Sequence, residues 1–342
     1  MERGTLPELE RLESLLERLR HPLVHVRTIH TEHHQGRDYP IYTITLGRPA
    51  MAQQPTFLIM GGVHGLERIG TQVIIAYMET LASRLRWDQQ LQHLLERVQL
   101  VLLPLFNPVG VLLHRRANAR GVDLMRNAPV RTKARVLPPR LYQGQALSAR
   151  LPYYRGKGVE PEVLALEQFF REVLFQASTL LTLDVHSGFG NRDQLWFPYA
   201  YSRRMFPQTA EMMALTQLLE EASPHHRYVI EPQSRQYTVH GDLWDYLHDL
   251  HNETRGDAVF LPLTLELASW GWIRKNPRQF VSRLGLFHPI KPHRVTRVLR
   301  RHLGLFDLLS RVTAAPDAWT GFDEAMRHTL EHEARRLWPE LE

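Results

Sequence analysis

Leu9, Leu12, Leu15, Leu16 and Leu19 recur at helical spacing among Glu and Arg side chains, so the pattern predicts an amphipathic helix that His21-Pro22 interrupts. Residues 39–47 alternate apolar and polar positions, 56–60 (Thr-Phe-Leu-Ile-Met) form an apolar run and 98–106 form another, and all three read as strands. Between the last two, Ile69, Val73, Ile74, Tyr77 and Leu81 mark one face of a helix over 68–84. The alternation continues with a helix over 161–176, a buried strand at 179–185, helices near 207–222 and 241–250, and a strand at 259–267. Apolar strands flanked by helices predict an α/β fold with a central, largely covered sheet. Residues 128–155, rich in Pro, Arg and Gly without a period, read as a long surface loop, 293–311 as one basic amphipathic helix, and the tail from 312 as a peripheral helix.

Composition narrows the chemistry. At 342 residues with 43% hydrophobic side chains the chain has material for a large core, and the absence of Cys excludes disulfides, thiolate nucleophiles and iron–sulfur clusters. A metal must then be held by His, Asp or Glu. Basic residues outnumber acidic ones 42 to 36, and nearly all are Arg, which suits carboxylate and phosphate recognition. No run of five or six like charges occurs, so no nucleic-acid partner is expected. The start, Met1-Glu-Arg-Gly-Thr-Leu-Pro-Glu, carries charges where a signal peptide needs an apolar core, and no stretch of 18 apolar residues exists. The expectation is a cytoplasmic protein without a membrane partner, of open oligomeric state.

The most informative segment is Gly61-Gly62-Val63-His64-Gly65-Leu66-Glu67, placed after one strand and before a helix, where α/β proteins build sites. His and Glu three residues apart can converge on one metal, and Asp184-Val185-His186-Ser187-Gly188 ends another strand with a second imidazole. His30, His33 and His34 beside Glu32, and the adjacent His225-His226, are decoys; the first cluster reads as a solvated turn before the 39–47 strand. No Gly-x-Ser-x-Gly, Walker or Gly-x-Gly-x-x-Gly motif supports a serine hydrolase, nucleotide-binding or Rossmann reading.

These two segments, with Asn107-Pro108-Val109-Gly110, Arg116-Ala-Asn-Ala-Arg-Gly-Val-Asp123-Leu-Met125-Arg126-Asn127 and Thr264-Leu265-Glu266-Leu267, stand in the order of the zinc carboxypeptidase (M14) family, which the chain resembles from about residue 36 to 312. The wording is most similar to the bacterial murein-peptide amidase and succinylglutamate desuccinylase-like branches. The resemblance implies a single α/β domain around a mixed, mostly eight-stranded sheet over 28–312, with an N-terminal helix in 1–27 and a helical tail in 313–342.

It also implies a set of roles. His64, Glu67 and His186 would bind one Zn2+ per chain, and Asp123 would orient His64 through its other ring nitrogen. Glu266 would be the general base, and Arg116 would stabilise the oxyanion. Arg126 and Asn127 would take the substrate's terminal carboxylate, Tyr237 would close over the substrate, and Trp244, just before Asp245, would line the pocket for the terminal side chain. Two departures matter: Met125 replaces the family's usual Asn, which predicts a looser grip on the carboxylate, and Val109 replaces a turn Asp. The expected activity is a zinc metallocarboxypeptidase acting on a peptide or acyl-amino acid with a free carboxylate, preferring a non-basic end. Its rivals are a deacylase or amidase acting on acyl-amino acids or murein peptides at the same site, and a catalytically silent peptide-binding module.

Overall fold

Alternation along β3 (Thr56–Gly61) sends Phe57 and Ile59 to one side of the sheet and Leu58 and Met60 to the other, and both sides are covered. The computed structural model describes residues 5–48, 53–132, 141–256, 258–282 and 284–340. With β1 (Val24–His34), β2 (Arg37–Leu46), β4 (Gln99–Leu103), β5 (Thr179–Ser187), β6 (Gln194–Phe197), β7 (Val229–Pro232) and β8 (Val259–Leu267), this strand builds one eight-stranded sheet of order β1-β2-β4-β3-β5-β8-β6-β7. The four inner strands β4, β3, β5 and β8 run parallel, while β2 and β6 run antiparallel to their inner neighbours, giving the expected mixed sheet. Consequently the carboxyl ends of β3, β5 and β8 open on one edge of the molecule.

Helices Arg68–Arg84, Thr209–Ala222, Leu303–Thr313 and Glu324–Leu337 bury Ile74, Leu215, Leu305 and Leu330 in the core on one face. Helices Pro161–Glu172 and Leu243–Thr254 bury Leu166 and Leu247 on the other. The Arg68–Arg84 helix approaches β5 so closely that a Cβ at Gly70 would lie 2.5 Å from the Val185 carbonyl oxygen, which explains glycine there.

The structure departs from the sequence pattern in several places. His30, His33 and His34 belong to β1, an exposed edge strand whose polar pattern hides it; the turn is Gln35-Gly36, both at positive φ, as a tight hairpin demands. β6 and β7 have four residues each, too few to show a period. The strand expected over 98–106 stops at Leu103, before Pro104, and the helix expected over 161–176 ends at Glu172. The single helix expected over 293–311 is two, Pro292–Arg301 and Leu303–Thr313, joined at the buried His302. The tail is not peripheral: Trp319, Leu330, Ala334 and Trp338 join the main core, and the Trp338 indole N–H donates to the Ile230 carbonyl at 2.9 Å. Within the loop expected over 128–155, residues 133–140 lie outside the described set, and Tyr142 and Tyr153 fold back onto the site.

Candidate metal centre and active site

The turn after β3 carries His64 and Glu67, and its shape is set by Asn107. The Asn107 amide donates to the Val63 carbonyl at 2.9 Å, and its oxygen accepts from the Gly110 N–H at 2.9 Å. A Cβ at Gly65 would fall 2.0 Å from the Gly110 carbonyl carbon, so the loop and this helical turn touch backbone to backbone. Nothing in this contact uses the side chain of Val109, which replaces the family's usual Asp. β5 then brings His186 alongside, and parallel pairing sets Glu266 of β8 opposite His186 in register.

His64 Nδ1 lies 2.8 Å from one Glu67 oxygen, His186 Nδ1 lies 2.9 Å from the other, and the two Nδ1 atoms are 3.2 Å apart. The opposite ring nitrogens are engaged: His64 Nε2 meets Asp123 at 3.2 Å and His186 Nε2 meets Asp184 at 2.7 Å. With both Nε2–H groups donated to carboxylates, both Nδ1 atoms turn lone pairs inward. All five side chains are buried. Although burial opposes charge on His186, Asp184 and Glu67 hold its pKa well above the ordinary value, so its inward Nδ1 favours a bound cation, whether a proton or a metal ion, over a bare lone pair. A tetrahedral zinc with bonds of about 2.0–2.1 Å spaces its ligand atoms by about 3.3 Å. The donor set fits one such ion, and His64, Glu67 and His186 are the metal-competent cluster among the described residues.

A cavity of about 350 Å³ opens on these donors and is also lined by Arg116, Arg126, Tyr237 and Glu266. One Glu266 oxygen accepts from the Phe189 N–H at 2.9 Å; burial and then the charge of Glu67 push its pKa up to about 8. Arg116 donates through Nε to Asp123 at 2.8 Å and through Nη1 to Glu67 at 3.3 Å, with the Tyr153 ring 5.0 Å from its guanidinium. Arg126 donates through Nε to the Tyr142 carbonyl and through Nη1 to the Met125 carbonyl, which fixes the plane of its guanidinium. Tyr237 stands in the wall against Tyr142, Phe189 and Trp196, and burial pushes its hydroxyl up to about 12.

Two expected substrate contacts are absent. Trp244 does not line the cavity: it faces inward from the helix Leu243–Thr254, packs on Phe170, and donates its indole N–H to Asp184 at 2.9 Å. Asn127 is spent on the backbone, donating to the Arg155 and Gly158 carbonyls and accepting from the Glu160 N–H, so neither amide hydrogen is left for a substrate carboxylate. Conversely, the sequence reading assigned no role to Asp184, although the two-residue step from Asp184 to His186 on a strand places both on one face. It also overlooked the wall formed by Tyr142, Phe189, Trp196 and Phe287, which loops contribute without a period.

The zinc carboxypeptidase family profile matches residues 12–267. Carboxypeptidase SOL1 of Arabidopsis thaliana is 24% identical over 255 residues, covering 68% of this chain and 44% of that protein. Carboxypeptidase Z of Homo sapiens is 26% identical over 178 residues, covering 48% of this chain and 26% of its own length. The chain thus spans less than half the length of these relatives. Among solved structures, bovine thrombin-activatable fibrinolysis inhibitor, in complex with tick carboxypeptidase inhibitor, aligns with a TM-score of 0.65 at 18% identity over 93% of this chain and 97% of that one. Carboxypeptidase A from Helicoverpa armigera aligns with the same TM-score at 18% identity, over 89% and 71%. At such identity the structural likeness speaks for the fold, and the profile match over three quarters of the sequence speaks for the lineage: the chain belongs to the zinc carboxypeptidase family.

Proposed function

We propose that the chain is a zinc-dependent carboxypeptidase that hydrolyses the amide bond next to a free terminal carboxylate. One observation carries this reading: a buried carboxyl, Glu266, shares a cavity with the His64, Glu67 and His186 donors and with two guanidinium groups. Zinc held by those three residues would supply Lewis acidity and a water of lowered pKa. Glu266, anchored through one oxygen, has the other free to take a proton and return it to the leaving amine. Arg116, whose Nη2 has no protein partner among the described residues, is the donor for negative charge developing on the carbonyl oxygen. Arg126 offers its remaining N–H groups to the terminal carboxylate.

The cavity walls also bear on the terminal side chain. Met125, Tyr142, Phe189, Trp196 and Phe287 line it, and its acidic lining residues, Glu67 and Glu266, are both committed to the reaction. An uncharged, apolar terminal residue suits this wall, while a terminal Lys or Arg finds no free counter-charge. The test is Glu266→Gln: zinc content should stay at the wild-type level while hydrolysis falls by about two or more orders of magnitude. A fully active variant would remove Glu266 from the mechanism. Release of product from N-acyl amino acids and murein peptides, with none from ordinary peptides, would move the substrate to the amidase reading.

A further inference from the structure

Nine of the 42 basic residues and none of the 36 acidic ones lie between positions 267 and 306, so this stretch carries the whole basic excess and the rest of the chain is slightly acidic. Apolar residues separate the charges, so no run of like charge announces it. The stretch folds as a short helix (Trp270–Lys275), a 3-10 turn (Pro277–Val281) and the helix Pro292–Arg301. Gln279, fully buried, anchors the turn by donating to the Gly285 carbonyl at 2.7 Å and the His288 carbonyl at 3.0 Å.

On this anchored turn Phe280 is 65% and Val281 87% exposed, and Trp270 and Ile290 keep 43% and 44% of their surface. On the same stretch Arg274, Lys275, Arg278, Lys291, Arg297 and Arg300 are exposed and take part in no ion pair among the described residues. A groove of about 710 Å³ gathers Lys275, Arg294, Arg297 and Arg301 with Arg192 and Arg227, and its one acid, Asp193, is already paired with Arg301 at 3.0 Å. Scattered exposed apolar residues need no explanation, but an adjacent exposed Phe–Val tip, in a stretch that also exposes Trp270 and Ile290 and carries nine basic residues and no acid of its own, has the makeup of a surface that enters a lipid interface. A nucleic acid would satisfy the arginines and leave Val281 and Ile290 in water.

We propose that this face docks on an anionic phospholipid bilayer, with Phe280 and Val281 entering the headgroup layer and the basic side chains meeting lipid phosphates. The docked face adjoins the catalytic cavity, because Trp270 packs on Phe189 at 5.2 Å and Phe287, from the same stretch, lines the cavity. The interaction is independent of hydrolysis.

Sedimentation of the whole chain with phosphatidylcholine vesicles, with and without phosphatidylglycerol, tests this. Binding should require phosphatidylglycerol and weaken as salt rises. The double variant Phe280→Ser/Val281→Ser should bind about tenfold more weakly, and Arg297→Gln/Arg300→Gln should flatten the salt dependence. Brominated lipids should quench tryptophan emission in the wild type more than in Trp270→Phe, a readout that needs no loss of binding. Absence of binding to phosphatidylglycerol vesicles, equal binding to neutral ones, or wild-type binding by the Phe280/Val281 variant together with tight RNA binding would overturn the proposal.

Discussion

His64 and His186 face each other through Nδ1 atoms 3.2 Å apart, while Asp123 and Asp184 engage the far side of each ring. Two imidazole lone pairs aimed at one point repel unless a cation lies between them. Elemental analysis of the desalted protein should therefore find about one zinc per chain, and His64→Ala or His186→Ala should lose it. His33→Ala and His34→Ala should retain it, since His33 is an exposed partner of Asp38 on the edge strand. Equal metal loss from these controls would refute the assignment.

Trp244 acts at a distance from the cavity, through Asp184. Trp244→Phe keeps the packing on Phe170 and deletes one N–H, so Asp184 loses one of the two donors that hold it, and His186 alone remains. Zinc affinity should fall about tenfold, the range expected for a lost partner of a metal-ligand carboxylate. Competition with a chromophoric chelator measures this, and an unchanged affinity would leave Trp244 as packing alone.

Arg126→Ala should raise KM by about tenfold or more for peptides with a free terminus, because a charge-assisted contact is lost before the chemical step. Peptides ending in Phe or Leu should be better substrates than those ending in Lys or Arg. Initial rates across such a panel decide it, and preferred basic ends would contradict the cavity lining described above.

Stability should also depend on pH through the N-terminal helix Pro7–Arg18. Glu8 on that helix receives two hydrogen bonds from Arg68, at 2.7 and 2.5 Å, and one from Gln72 at 3.1 Å. Burial raises its pKa, yet the bonds and charge of Arg68 outweigh burial and hold it below the ordinary value. A depressed carboxyl adds stability above its unfolded pKa and loses it as pH falls through the folded value. Glu8→Gln should thus cost on the order of 2 kcal/mol near pH 7, less than for a fully buried pair because Arg68 keeps 14% of its side-chain surface. Urea melts should show the difference closing below the usual carboxylate range, and a pH-independent difference would rule the ion pair out as its source.

Much of this architecture is legible in the residues, and the rest is hidden for identifiable reasons. β3, β5 and β8 are buried on both faces and so written as apolar runs, which also locates the turn with His64 and Glu67 and the strand ends with His186 and Glu266. β1 is an edge strand and β7 a four-residue one, so neither has to look apolar. Trp244 shows the limit of reasoning from motif position. Trp244, Leu247, His248 and His251 recur at helical spacing and are all buried, so the period alone predicts an inward-facing Trp. Asn127 shows another limit, because a side-chain amide that binds a substrate and one that ties down a loop look alike until their partners are known.

The most direct test of the central claim is the mass spectrum of a peptide with a free C-terminus after incubation with the zinc-loaded chain. The account predicts removal of the terminal residue alone, with the same peptide left intact when its terminus is amidated, since Arg126 then has no carboxylate to hold. Cleavage at internal bonds, equal cleavage of the amidated peptide, or no cleavage of any free-terminus substrate would contradict it.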